Sequence, residues 1–249
     1  MVAPPRELLA AAKGADDPTA SFVILFEERV HTFEADGRHR SRYRYVYKIL
    51  TEAALDDEGI GESWSPWHES EPKIRARVVT RDGKAYGLDP KTFETSGVRA
   101  SDPDVFTDRR QVRAPLPGLA VGAVVEEEIV VDSQPVLPGL GMSARFHFGA
   151  FVPVRKARLV LEAPRGVPLH VVERPSGAVR PTRSETGDRV RLVYETGPLA
   201  AGERADEGWP DDVPVFPEVR YATGPTWREI AARYADIVDR QIAGADVGA

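Results

Sequence analysis

The chain has 249 residues, 29% of them charged and 42% hydrophobic, the balance of a folded domain rather than of a disordered or fibrous polymer. Its 33 Lys and Arg against 39 Asp and Glu give a formal charge of -6, which offers no bulk attraction to nucleic acid or to an anionic membrane surface. Zero cysteine excludes disulfides, thiolate nucleophiles, cysteine zinc sites and iron-sulfur clusters, and no apolar run approaches the roughly 20 residues needed to span a bilayer.

Met1 to Arg6 lacks the charged-then-apolar pattern of an export signal, so the sequence reads as cytosolic or as a chain whose signal is already removed. A short helix is predicted over Arg6 to Lys13: Pro5 suits a first helical turn and Gly14 a left-handed stop. The segments Phe22–Phe33 and His39–Leu50 then flank Asp36-Gly37, the strongest hairpin signal in the chain. With Asp36 and Gly37 as a two-residue loop, Ile24, Phe26 and Val30 fall opposite Ile49, Tyr47 and Tyr43 on a face that should be buried. The same register sets Arg29 against Arg44, an unfavourable pair that a longer loop or a bulge would relieve.

A second hairpin is expected from Lys73–Thr80 and Lys84–Leu88 around Asp82-Gly83. Further strands are predicted at Gln111–Ala114, Ala123–Asp132, Ser143–Phe151, Val154–Glu162, Leu169–Glu173, Arg189–Glu195 and Val219–Ala222, separated by Gly- and Pro-containing turns. This is an all-β pattern, an antiparallel β-sandwich or barrel, with a second layer or subdomain starting near 135–145. At the end, Thr226-Trp-Arg-Glu229 forms a capping box, and Trp227, Ile230, Tyr234, Ile237 and Ile242 recur at helical spacing. The organisation expected is a helix and lead-in over 1–20, a β-sandwich over 21–223 and an amphipathic linker helix over 224–249.

The chemistry-bearing motifs are sparse. There is no glycine-rich phosphate loop, no His-Glu-x-x-His and no Gly-x-Ser-x-Gly, and the five histidines show no ligand spacing. No metal and no cofactor is assigned. Glu126 and Glu128 share a strand face and would suit acid-base work if buried together; the plainer reading is a solvated strand face, salt-bridged to Arg75 or Arg77. Asp102-Pro-Asp104 with Asp108, and Asp206-Glu207 with Asp211-Asp212, read as solvated acidic loops rather than calcium sites. Trp64-Ser-Pro-Trp67-His68 has the composition of a stacking platform for a sugar or peptide, or of a loop pinned to the fold by its indoles. Arg109 and Arg110 form a basic strand end suited to carboxylates of a partner domain.

The order of these segments resembles a family: the bacterial domain of unknown function that precedes transglutaminase-like domains in exported or membrane-associated proteins. The resemblance is carried by the Asp36-Gly37 hairpin ending in Lys48-Ile49-Leu50-Thr51, by Ala76–Lys84, by Asp108-Arg109-Arg110, by Pro115-Leu116-Pro117, by Gly122–Glu126 and by Trp227 on its helix, and covers roughly Arg6 to Ile242. It implies a β-sandwich placed before a papain-like domain with a Cys-His-Asp triad, and supplies no catalytic residues for this chain. The resemblance thus implies a non-catalytic accessory module, periplasmic or in the cell envelope within its full-length protein. It would pack on the downstream domain, or position its substrate, through Arg109, Arg110 and the stripe of Trp227, Ile230, Tyr234 and Ile237. Expected partners are that domain and a peptide or glycan, with no nucleic acid and no membrane insertion. The alternative is a carbohydrate or peptidoglycan module using Trp64, Trp67 and His68, and a third reading is an acid-base enzyme using Glu126 and Glu128.

Overall fold

The computed structural model describes residues 3–55, 59–98, 106–136, 141–175, 177, 179–203, 208–210 and 213–243. Fourteen strands are present among these: β1 (Phe22–Phe33), β2 (His39–Ile49), β3 (Gly59–Trp64), β4 (Lys73–Val79), β5 (Ala85–Gly87), β6 (Glu94–Gly97), β7 (Arg110–Pro115), β8 (Val124–Ser133), β9 (Ser143–His147), β10 (Ala157–Pro164), β11 (Leu169–Arg174), β12 (Thr182–Thr186), β13 (Arg189–Thr196) and β14 (Glu218–Thr223). Helix α1 (Pro5–Ala11) and helix α2 (Trp227–Ala243) bracket them. The fold is the expected sandwich with a short N-terminal and a longer C-terminal helix.

One layer is an eight-stranded sheet in the order β12-β13-β10-β1-β2-β8-β4-β5, and β10, β13 and β12 extend it rather than forming a sheet of their own. The second layer holds two separate three-stranded sheets, β11-β14-β9 and β3-β7-β6. Each covers one end of the same face of the large sheet. Phe146, Val219 and Tyr221 pack on Leu159, Leu161 and Phe33 at one end, while Ile60 and Ala114 pack on Ala76, Val78 and Val125 at the other. On the opposite face α1 lays Leu8 and Ala12 over Val23, Leu25, Val46 and Val124. Every ladder described is antiparallel except β1 with β10, which is parallel.

The first hairpin departs from the two-residue loop. Its last pair is Phe33 with His39, the Glu34 N–H donates to the Arg38 carbonyl at 2.8 Å, and Gly37 takes φ 87°, which makes a three-residue loop of Ala35 to Gly37. The register moves by one residue, so Arg44 faces Glu28 and Arg29 faces Tyr43, and the like-charge pair disappears. A bulge between Ile24 and Phe26 then returns Ile24 to the tyrosine face opposite Tyr47, leaving Phe26 and Val30 on the other face.

Strands β3, β6 and β12 have no counterpart in the sequence reading. The strand expected over 143–151 stops at His147, because Gly149 turns at φ 140° with the Phe216 ring against it. A Cβ at Gly149 would lie 2.7 Å from that ring.

His31 is a buried polar residue of the core, its imidazole 5.3 Å from the Tyr221 ring and 5.9 Å from Phe33 between centroids. Burial, aided by the Arg29 and His39 charges, pushes its pKa down to about 3. The unfolded chain therefore takes up a proton near pH 6.5 that the folded chain refuses until about pH 3, and stability falls as pH drops through that window. Between pH 7 and pH 5 this residue should cost about 2 kcal/mol, from roughly 1.4 kcal/mol per pH unit. Urea unfolding of His31→Phe across the same range should show a shallower pH dependence than the parent, and parallel slopes would remove His31 as the cause.

Candidate functional site

The two small sheets do not meet. Between them, among the described residues, neither small sheet covers β1, β2 and β8, where two contiguous hollows of about 920 and 270 Å³ share Arg29, Tyr43 and Tyr45. Alternation along β2 puts Tyr43, Tyr45 and Tyr47 on this floor, with ring centroids 5.8 and 5.2 Å apart. The cross-strand register places Glu27 and Glu127 on either side of Tyr45, and Arg29 and Ile129 on either side of Tyr43. Hydrogen bonds run diagonally: Tyr43 Oη donates to Glu27 at 3.2 Å and Tyr47 Oη to Glu127 at 3.1 Å. The Arg29 guanidinium lies over the Tyr43 ring, 4.8 Å from its centroid.

Burial raises the pKa of the Glu27 carboxyl, against the opposing pull of the Tyr43 hydroxyl and Arg29. Burial, and then the Glu27 charge, raise Tyr43 and Tyr45, so both phenols stay protonated donors. His147, at the far wall, is lowered chiefly by burial.

Each wall of the cleft is the edge strand of a small sheet: β3 on one side and β9 on the other. The Val98 N–H bonds to the Arg109 carbonyl at 2.9 Å, continuing the β6–β7 ladder, so the odd residues of β7 turn their backbone groups to β6. Its even residues therefore bond to Ile60, Glu62 and Trp64, and the backbone groups of Gly59, Gly61 and Ser63 point away from β7. By the same reasoning, the Phe148 N–H bond to Pro217 commits the even residues of β9 to β14 and leaves Ser143, Arg145 and His147 with outward backbone groups.

Against this geometry, the family described as a domain of unknown function with solved structure, DUF3857, matches residues 35–203. The chain belongs to this family. The matched span includes the tyrosine floor, β3 and Arg113 and Arg145 at the rims, and stops short of β14 and α2. No curated protein sequence matches the chain. Among solved structures, a putative protease from Parabacteroides distasonis ATCC 8503 is similar at TM-score 0.72 and 17% identity, over 82% of this chain and 41% of that one. That likeness shows the fold alone. An M1 zinc metallopeptidase from Deinococcus radiodurans aligns at TM-score 0.39 and 12% identity, over 82% of this chain and 42% of its own. Leukotriene A4 hydrolase from Saccharomyces cerevisiae aligns at TM-score 0.39 and 11% identity, over 86% and 33%. The DUF3857 chain thus spans less than half the length of these proteins.

The site residues expected from sequence lie elsewhere on the DUF3857 fold. Trp64 closes β3 and is 4% exposed, whereas Trp67 is 54% exposed and packs edge-on against His68 at 4.6 Å. The two indoles therefore do not form one platform. Arg109 and Arg110 are exposed where β7 begins, away from the floor. Glu126 is fully buried rather than solvated, with Oε1 2.6 Å from Arg44 and Oε2 2.5 Å from Arg77, so its charge is spent on two guanidiniums. Glu128 lies on the same face, 3.6 Å from Arg42, and neither carboxylate lines the two hollows. Asp102, Asp104, Asp206, Glu207, Asp211 and Asp212 lie outside the described residues. Among the described residues no cluster of three or more His, Asp or Glu side chains could hold a metal ion, and no helix is long and apolar enough to cross a membrane.

Helix α2 carries the capping box as expected: the Thr226 N–H donates to Glu229 at 2.7 Å and the Glu229 N–H to Thr226 Oγ1 at 3.4 Å. None of its described side chains is buried, with Trp227 85% and Tyr234 63% exposed. The apolar stripe of the helix is thus left largely uncovered by the sandwich. At its root Trp227, Ile230 and Pro225 face Met142 and His170 across a groove of about 540 Å³.

Proposed function

We propose that the chain is a non-catalytic accessory module that docks through α2 onto a transglutaminase-like domain of the same polypeptide, in the cell envelope. The observation that carries this reading is the bare apolar stripe of α2. An amphipathic helix that buries nothing on its own domain is only marginally stable in water, and burying each large side chain of the stripe would contribute roughly 1.5 to 3 kcal/mol. Two further observations support it: the resemblance in segment order, and the similarity to a protein of protease description about twice as long. The burial of Trp64 weighs against the carbohydrate alternative.

Because α2 buries none of its described side chains, truncation after Gly224 should leave a cooperative fold within about 0.5 kcal/mol of the full chain in urea unfolding. In the isolated chain trypsin should cut readily at Arg233 and Arg240. In the natural-length polypeptide the same sites should be protected, and Trp227→Glu with Tyr234→Glu should restore cleavage. Equal cleavage in both, or a natural-length protein with no Cys-His-Asp domain after α2, would end the docking reading.

A further inference from the structure

Arginines on the outer face of the large sheet differ from those around the cleft. On the outer face Arg42, Arg44, Arg77 and Arg158 are all paired with Glu28 or Glu126 at 3.1 Å or less. Around the cleft, Arg113 and Arg145 have no carboxylate within ion-pair distance among the described residues, while Arg29 lies over the Tyr43 ring and is coupled to the Glu27 carboxylate. The distinction follows position: Arg29 stands on the floor, and Arg113 and Arg145 project from the rims, on the outer faces of β7 and β9.

We propose that the cleft is a binding site for an extended peptide, which adds as a strand to the free edge of β3 and alternates apolar side chains toward the tyrosines with acidic side chains toward Arg113 and Arg145. Three observations converge on this occupant. The β3 edge offers outward backbone groups at Gly59 and Gly61, both exposed and with no side chain to fend off a second backbone. A strand bound there turns alternate side chains inward and outward. The inward ones meet the rings of Tyr43, Tyr45 and Tyr47, which suit apolar and aromatic groups, and the outward ones meet the Arg113 and Arg145 guanidiniums. The Ser63 N–H is already taken by the Glu62 carboxylate at 2.9 Å, so pairing is confined to the glycine end of the edge. The volume of about 920 Å³ is within the range of specific ligand sites.

A sugar would use the same aromatic floor but would leave the β3 edge unpaired, which is the feature that favours a peptide. The inference goes beyond the docking reading and survives its failure, because the cleft variants leave α2 untouched.

The test is fluorescence polarisation of the full chain with a labelled pentapeptide alternating glutamate and leucine. Saturable binding is expected. Methylating the two peptide nitrogens that would donate to β3 should weaken it by about tenfold, the loss of one or two hydrogen bonds. The variant Arg113→Glu with Arg145→Glu, both at exposed positions, should lose the acidic probe and prefer a lysine-leucine pentapeptide, with its unfolding midpoint unchanged. No binding up to about 1 mM, equal binding of the methylated probe, or binding of cellohexaose but of neither peptide would overturn the proposal.

Discussion

Replacing Glu126 with alanine should cost the chain about 3 to 5 kcal/mol of stability, read as a fall of roughly 10 °C in thermal unfolding. Glu126 has no exposed surface, and its two oxygens divide between Arg44 and Arg77, whose side chains are 19% and 15% exposed. Arg77 also donates to the Ala3 carbonyl, tying the start of the chain to β4, and the Arg44 guanidinium lies 5.3 Å from the centroid of the Phe26 ring. Removal of the carboxylate leaves two desolvated cations side by side, and their mutual repulsion adds to the lost hydrogen bonds. Glu126→Gln keeps the shape but not the charge and should lose most of the same stability. A concerted change to apolar residues, Arg44→Met, Glu126→Leu and Arg77→Met, should recover much of it, because a buried ion triad can be replaced by packing at little net cost. If Glu126→Ala unfolds within about 1 kcal/mol of the parent, the triad is not a structural element.

The sandwich was legible in the sequence because its signals are local. Strand alternation, Asp-Gly turns and the Thr226–Glu229 box each declare themselves within a few residues. Even the error in the first hairpin carried its own correction: a two-residue loop forced Arg29 against Arg44, and the real loop removes that contact by one step of register. What the sequence did not announce is the cleft. It exists because β3-β7-β6 and β11-β14-β9 close over opposite ends of one sheet, a consequence of strand order that no local pattern encodes. Strand β3 itself went unread because Gly59 and Gly61 argue against a strand. The same glycines are what leave its edge open. Tyr43 and Tyr47 are recognisable in the sequence as one face, but a buried face and a cleft floor have the same period. Glu126 reads as part of a solvated strand face salt-bridged to Arg75 or Arg77, and its full burial arises only when β2, β4 and β8 stand side by side beneath the N-terminal segment.

The Trp64-Ser-Pro-Trp67 loop gives the second large effect. Trp64→Ala should destabilise the chain by about 3 to 5 kcal/mol, the range for deleting a buried indole, while Trp67→Ala should change stability by less than about 0.5 kcal/mol. The asymmetry follows from one strand boundary. Trp64 is the last residue of β3, paired with Arg110 and facing inward with Ile60. Beyond it the Ser65 N–H donates to Glu69 at 2.8 Å and the chain turns, so Trp67 emerges on the surface beside His68. A stacking platform demands the opposite, two exposed indoles whose loss spares the fold and removes binding. Paired urea titrations of the two variants, with binding of a soluble glycan followed alongside, separate the cases. If Trp64→Ala keeps the parent's unfolding midpoint and abolishes a glycan signal, the loop is a binding element and the buried placement of Trp64 is wrong.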